Sequence, residues 1–301
     1  MERTLGPRNV GDILKETFTI YKNNWARFAA IVAIVAIPIA IIAIIVVAAV
    51  MLPVLFHYTE MEQLLPSLEN IIAIIPAFML IVLISFVAGV LMQTAVIHAV
   101  AEQYFRQPVN IGLAFRFTWR RFPNTLGAAA LTGLAAIGII IIIIGIPAAI
   151  YFSAPFSHSD IYAEFPQLMI IGITLAAVAF VAIAYLSVIW AFAIYAALLE
   201  GCGPVAALSR SMALVKGSWW RVFGIIILLT LIVQVINWIA GLVPLIGGIA
   251  AAIFTPPITI TGVALLYFDL RVRKQGYNLE ALANELGLVS TAAEPASSPP
   301  Q

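Results

Sequence analysis

Charged residues are absent from five long stretches of this chain: 28–59, 70–101, 122–159, 165–199 and 222–268. A helix that crosses the about 30 Å hydrocarbon core of a bilayer needs about 20 mostly apolar residues. Each stretch is long enough for one crossing. The last, at 47 residues, is long enough for two with a turn at 244–248. The expected spans are therefore six: 29–56, 71–99, 125–151, 167–199, 220–243 and 248–268. Pro66, Pro123 and Pro166 fall between spans, where helices are expected to break or begin. Composition agrees, with 63% of the 301 residues hydrophobic and 10% charged, against about 45–50% and about 25% in soluble domains. A soluble enzyme, a nucleic-acid binder and a disordered chain are excluded. The fold class expected is all-α, a polytopic membrane protein with six transmembrane helices.

The basic residues give the orientation. Arg3, Arg8, Lys15, Lys22 and Arg27 precede span one; Arg106, Arg116, Arg120 and Arg121 lie between spans two and three. Arg210, Lys216 and Arg221 lie between spans four and five, and Arg271, Arg273 and Lys274 follow span six. All 15 fall on one side, whereas the opposite connections carry only acids, such as Glu60, Glu62 and Glu69. The positive-inside rule makes the basic side cytoplasmic. The expected location is a prokaryotic plasma membrane, with both termini cytoplasmic.

The segments before the odd-numbered spans share a design. Asn9 caps a helix with Asp12 at the capping-box position, and Val10, Ile13, Leu14, Phe18 and Tyr21 form an apolar face. Before span five, Pro204 is a natural first helical residue, followed by Val205, Leu208, Met212 and Val215. Lys22-Asn-Asn-Trp25-Ala-Arg27 recurs as Lys216-Gly-Ser-Trp219-Trp-Arg221, and Asn9-Val-Gly11 recurs as Asn110-Ile-Gly112. Three parallel two-span repeats follow, at about 9–100, 110–200 and 204–288, each opened by an interfacial amphipathic helix. A polar, proline-rich tail at 289–301 is expected to stay disordered. Lys22, Trp25, Arg27, Arg210, Lys216, Trp219 and Arg221 are candidates for lipid headgroup or interface contact, since cations meet anionic headgroups and indoles favour that depth.

No catalytic signature is present: there is no nucleophile elbow, HExxH or Walker loop. The single cysteine, Cys202, excludes an internal disulfide and a Cys-based zinc site. His57, His98 and His158 have no metal-ligand spacing, so neither metal nor cofactor is expected. Six residues make a candidate intramembrane polar site: Gln93, His98, Gln234 and Asn237, with Pro256 and Pro257, which break span six. Helix-to-helix hydrogen bonding is the plainer role for the four polar ones.

The chain resembles the prokaryotic membrane proteins named for the glycerophosphoryl diester phosphodiesterase membrane domain. The likeness lies in Asn9-Val10-Gly11-Asp12-Ile13-Leu14, in Leu199-Glu200-Gly201 with Gly203-Pro204, in Trp219-Trp220-Arg221, and in Leu266-Tyr267-Phe268-Asp269-Leu270-Arg271-Val272-Arg273. It implies a stand-alone membrane domain without the soluble barrel that hydrolyses the diester. Two functions are open. One is a non-enzymatic, lipid-interacting scaffold or accessory module; the other is a small permease for a neutral or lipidic solute. Expected partners are membrane lipids, anionic ones first, together with a protein partner in the membrane.

Overall fold

A computed structural model describes residues 6–57, 68–105, 109–145, 147–149, 160–244 and 246–286. The tail at 289–301, Pro66, His158, Glu60, Glu62, Arg3 and Arg106 lie outside them. The described residues are helical, with no strand among them. Six of the helical stretches are long and apolar enough to cross a membrane, so the protein is an all-α, multi-pass membrane protein.

Helix α1 runs unbroken from Val10 to His57, and α2 from Leu68 to Glu102. Helix α3, Ile111–Ile140, continues as a π-helical turn over Ile141–Gly145. The fourth crossing is α4, Asp160–Ile189, with a short α5, Ala193–Leu199. Helix α6, Pro204–Val215, lies between crossings, and α7 is Trp219–Gly241. The sixth crossing is α8, Ile246–Phe254, followed by α9, Pro256–Gln275, and α10, Leu279–Leu286, closes the described chain.

Local chemistry sets several of these boundaries. The Asn9 backbone N–H donates to Asp12 Oδ2 at 3.1 Å, half of a capping box. Asn110 Oδ1 accepts from Leu113 N at 3.2 Å and Asn278 Oδ1 from Ala281 N at 2.9 Å, each at the N-cap of its helix. Pro204 opens α6.

Three expectations are corrected. The first two basic segments are not separate interfacial helices, because α1 and α3 continue from them into the spans; only α6 stands alone. Pro123 and Pro166 lie inside α3 and α4 instead of marking helix starts, as proline is tolerated in spans where neighbours re-satisfy the backbone. The apolar stripes are split: Ile13 and Val215 are buried, Leu14, Tyr21 and Leu208 are half-buried, and the rest are exposed. Val10, Phe18, Val205 and Met212 are exposed, whereas α1 packs through Ile13, Thr17, Ile20, Asn24, Phe28 and Ile31, and α6 through Ala207, Ser211, Leu214 and Val215. Lipid accepts large apolar side chains as readily as a core does, so the exposed members need no protein partner.

Helix α9 is the axis of the bundle. It packs against α1, α2, α6, α7 and α8, and nearly every residue from Pro257 to Arg271 is buried. The buried core gathers at the end of the bundle where the basic residues lie, drawing on residues 13–31, 95–114, 188–199, 214–229 and 260–286. Toward the other end the same helices expose Ile34–Val47, Ile75–Phe86, Leu134–Ile142 and Met169–Val181.

The fourth and sixth crossings are broken, and each break is stitched. Ser211 Oγ donates to Ile189 O at 2.7 Å and accepts from Phe192 N at 3.1 Å, bridging α4 to α5. In the sixth crossing Ile258 N donates to Thr255 O, only three residues back, which frees Phe254 O. The Tyr21 hydroxyl donates to that carbonyl at 2.9 Å.

Candidate functional site

The turn that joins α6 to α7 forms the bottom of a groove. Helix α6 ends at Lys216, and Gly217 follows at φ +78, a conformation other residues rarely adopt. Lys274 Nζ donates to the carbonyls of Lys216 and Ala213, placing a cation at the negative end of α6. Ser218 makes no side-chain cap to α7, so the first N–H groups of that helix are left for another acceptor.

Against this turn lies a cavity of about 600 Å³, lined by Tyr185 and Ile189 of α4, Met212 and Val215 of α6, and Lys216, Gly217, Trp219 and Trp220. The Trp219 ring stacks on Phe223 at 4.8 Å, meets Trp220 edge-on at 4.8 Å and lies 5.7 Å from Tyr185. Its Nε1 is buried without a hydrogen-bond partner. Trp220 stands 77% exposed. A second cavity of about 580 Å³ shares Tyr185 and continues along α4 past Ala182, Val181, Val178, Ala177 and Thr174. From Ile189 to Thr174 the helix rises about 22 Å, more than half the hydrocarbon thickness of a bilayer.

Next to the groove, where Arg221 follows Trp220, is an ion-pair network that the sequence did not reveal. The Asp269 side chain is 0% exposed and accepts from Arg8 N at 2.7 Å, Arg221 Nη2 at 2.9 Å and Arg273 Nε at 3.0 Å. Arg271 forks onto Glu285, with Nη1 and Nη2 at 2.9 and 2.8 Å from its two oxygens. Glu200 accepts from Tyr267 Oη at 2.6 Å and from Arg210 Nε at 2.7 Å. Tyr277 Oη donates to Glu285 Oε2 at 2.6 Å, and burial followed by that carboxylate holds its phenol above the ordinary range. Among the described residues no group of three metal-ligating side chains comes together.

The seven headgroup candidates therefore divide. Lys216 and Trp219 line the groove, and Lys22 and Arg27 are exposed on α1. Trp25 is exposed too, its ring 6.0 Å from Phe254 beside the break in the sixth crossing. Arg210 and Arg221 are held by Glu200 and Asp269. The two similar motifs thus have different neighbours. The intramembrane candidates also separate. Gln93 bonds the Tyr195 side chain, Gln234 is exposed, and Pro256 and Pro257 pack at the stitched break. His98 lines a cavity between α2, α3 and α10, beside a residue the sequence did not single out, Glu102.

Residues 114–268 match a family model described as a domain of unknown function (DUF7847). The chain belongs to that family. The matched stretch begins in α3 and ends at Phe268, so the family region contains the whole groove and stops one residue short of Asp269. No curated protein and no solved structure matches the chain. The family description carries no activity, and the phosphodiesterase membrane-domain resemblance is not what this match shows.

Proposed function

We propose that the protein is a non-enzymatic, lipid-interacting membrane module that holds one anionic phospholipid in the groove between α4, α6 and α7. The observation that carries this reading is that two cavities share Tyr185 as a wall, one lined by Lys216 and Trp219 and the other running along α4 to Thr174. A phosphate fits beside the Lys216 ammonium and the first turn of α7, where free backbone donors and the helix dipole favour an anion. An acyl chain fits along Val181, Val178 and Thr174. The similar motifs around Trp25 and Trp219 are read as one design repeated along the chain, with the Trp219 copy serving the groove. The basic end faces the cytoplasm of a prokaryote on the positive-inside argument. The resemblance to phosphodiesterase membrane domains fits a membrane module without its own chemistry.

Native mass spectrometry from mixed phosphatidylglycerol and phosphatidylethanolamine provides the test. Lys216→Ala should lower phosphatidylglycerol retention about fivefold, from about 1 kcal/mol per interfacial cation. Ala182→Trp, which fills the apolar half, should lower retention of both lipids. Unchanged retention in both variants would overturn the reading.

A further inference from the structure

A third cavity, of about 250 Å³, lies between α2, α3 and α10 and shares no residue with the lipid groove. It is lined by His98, Glu102, Leu113, Arg116, Phe117, Arg120 and Leu286. The His98 and Glu102 side chains are only 5% and 6% exposed. Both are poorly satisfied. His98 Nδ1 is buried with no hydrogen-bond partner, and it lies 3.7 Å from Glu102 Oε1, too far for a bond. Glu102 Oε2 receives one long bond, from Asn110 N at 3.4 Å. Arg116 and Arg120 are exposed one helical turn apart, and neither forms an ion pair or hydrogen bond with the described residues. A buried carboxylate without full pairing is costly, and like charges one turn apart repel. The chain keeps both features around a single cavity.

The arrangement of charge defines what would relieve it. A simple anion gains from the two guanidinium groups but meets the Glu102 carboxylate. A simple cation gains from Glu102 but meets both arginines. A molecule carrying both charges satisfies every group at once. We propose that this pocket binds a small zwitterion of the phosphoethanolamine type, a phosphate ester joined by a short linker to a primary ammonium. Arg116 and Arg120 take the phosphate oxygens as planar forks suited to that geometry. The ammonium donates to the Glu102 carboxylate, which otherwise receives only the long Asn110 bond. The cavity is smaller than the about 300–1,000 Å³ of drug-sized sites, which suits a headgroup-sized ligand. This chemistry is supplied by the free phosphomonoester and by the headgroup of an ethanolamine phospholipid.

Isothermal calorimetry on the purified full chain with O-phosphoethanolamine, inorganic phosphate and ethanolamine tests the pairing of charges. The zwitterion should bind at least tenfold more tightly than either half. Glu102→Gln should weaken phosphoethanolamine at least fivefold while tightening inorganic phosphate, a change of opposite sign for the two ligands. Arg116→Gln/Arg120→Gln, both at exposed positions, should weaken both phosphate ligands at least tenfold, and it decides the matter if Glu102→Gln does not fold. Native mass spectrometry with lysophosphatidylethanolamine and lysophosphatidylglycerol separates the sources: an ethanolamine lipid adduct lost in the double-arginine variant assigns the headgroup, and binding of the soluble ester alone assigns the free molecule. The proposal is overturned if neither source binds wild type. It is also overturned if inorganic phosphate binds as tightly as the zwitterion, or if Glu102→Gln moves both ligands in the same direction.

Discussion

Asp269 holds three parts of the chain together through one carboxylate: the backbone before α1, the first turn of α7 and the last turn of α9. Its side chain is fully buried, whereas Arg221 and Arg273 are 28% and 36% exposed. Removing the acid leaves Arg221 and Arg273 with only the Arg8 carbonyl and strands the Arg8 N–H, whereas removing Arg221 leaves the other two contacts to the carboxylate in place. Asp269→Ala should therefore cost about 3 kcal/mol, the lower end for a broken buried pair, and Arg221→Ala about 1 kcal/mol. Thermal unfolding in detergent checks the order, and the double variant should lose less than the sum of the two single losses, because the two share one interaction. A wild-type melting temperature for Asp269→Ala would show that the carboxylate holds nothing. Counting Arg221 as a free cation was reasonable from sequence, since its partner lies 48 positions away. The one local clue was Asp269 and Arg273 at i,i+4, a spacing that pairs on a helix.

Helices α7 and α8 turn so tightly that adjacent glycines have opposite roles. A Cβ on Gly247 would lie 1.8 Å from the Ala240 carbonyl oxygen, whereas one on Gly248 would meet nothing within 4 Å. Gly247→Ala must open the turn, at about 1–3 kcal/mol or more; Gly248→Ala should stay within about 0.5 kcal/mol of wild type. Melting temperatures of the two variants make the comparison, and equal losses would contradict the geometry. Much at this level was legible in the sequence. The six crossings, the Asp12 half of the capping box at Asn9, the first residue of α6 and the break at Thr255 all have local chemical causes. The break between α4 and α5 was not legible, because no Gly or Pro marks Trp190–Phe192 and its stitch, Ser211, comes from another helix. Nor could the sequence give the pairing of His98 with Glu102 as the floor of a cavity, because α3 and α10 supply the other walls. The groove was half legible: Lys216 and Trp219 stood out, whereas the α4 residues facing them look like any apolar span.

The bundle as a whole makes a claim about sidedness that labelling can check. Single cysteines at Ser67, Ser157 and Ser209, in a Cys202→Ala background, should react with an impermeant reagent from the outside at the first two positions and from the inside at the third. Labelling of Ser67 and Ser209 from the same side would remove the six-crossing topology. Basic residues mark only the connections, and so they carry no information about where along the crossings the helices touch one another. That information lies in the packing, which is concentrated at the basic end. At that end a side chain must fit its neighbours; at the other it need only be apolar, because its neighbours are fluid lipid tails. Inheritance should have recorded the difference. Exchanges among Ile, Leu and Val can accumulate freely over Ile34–Val47 and Met169–Val181, whereas Ile260–Arg271 has almost no room to drift. Two descendants of this chain would come to differ most in one leaflet while remaining nearly alike in the other.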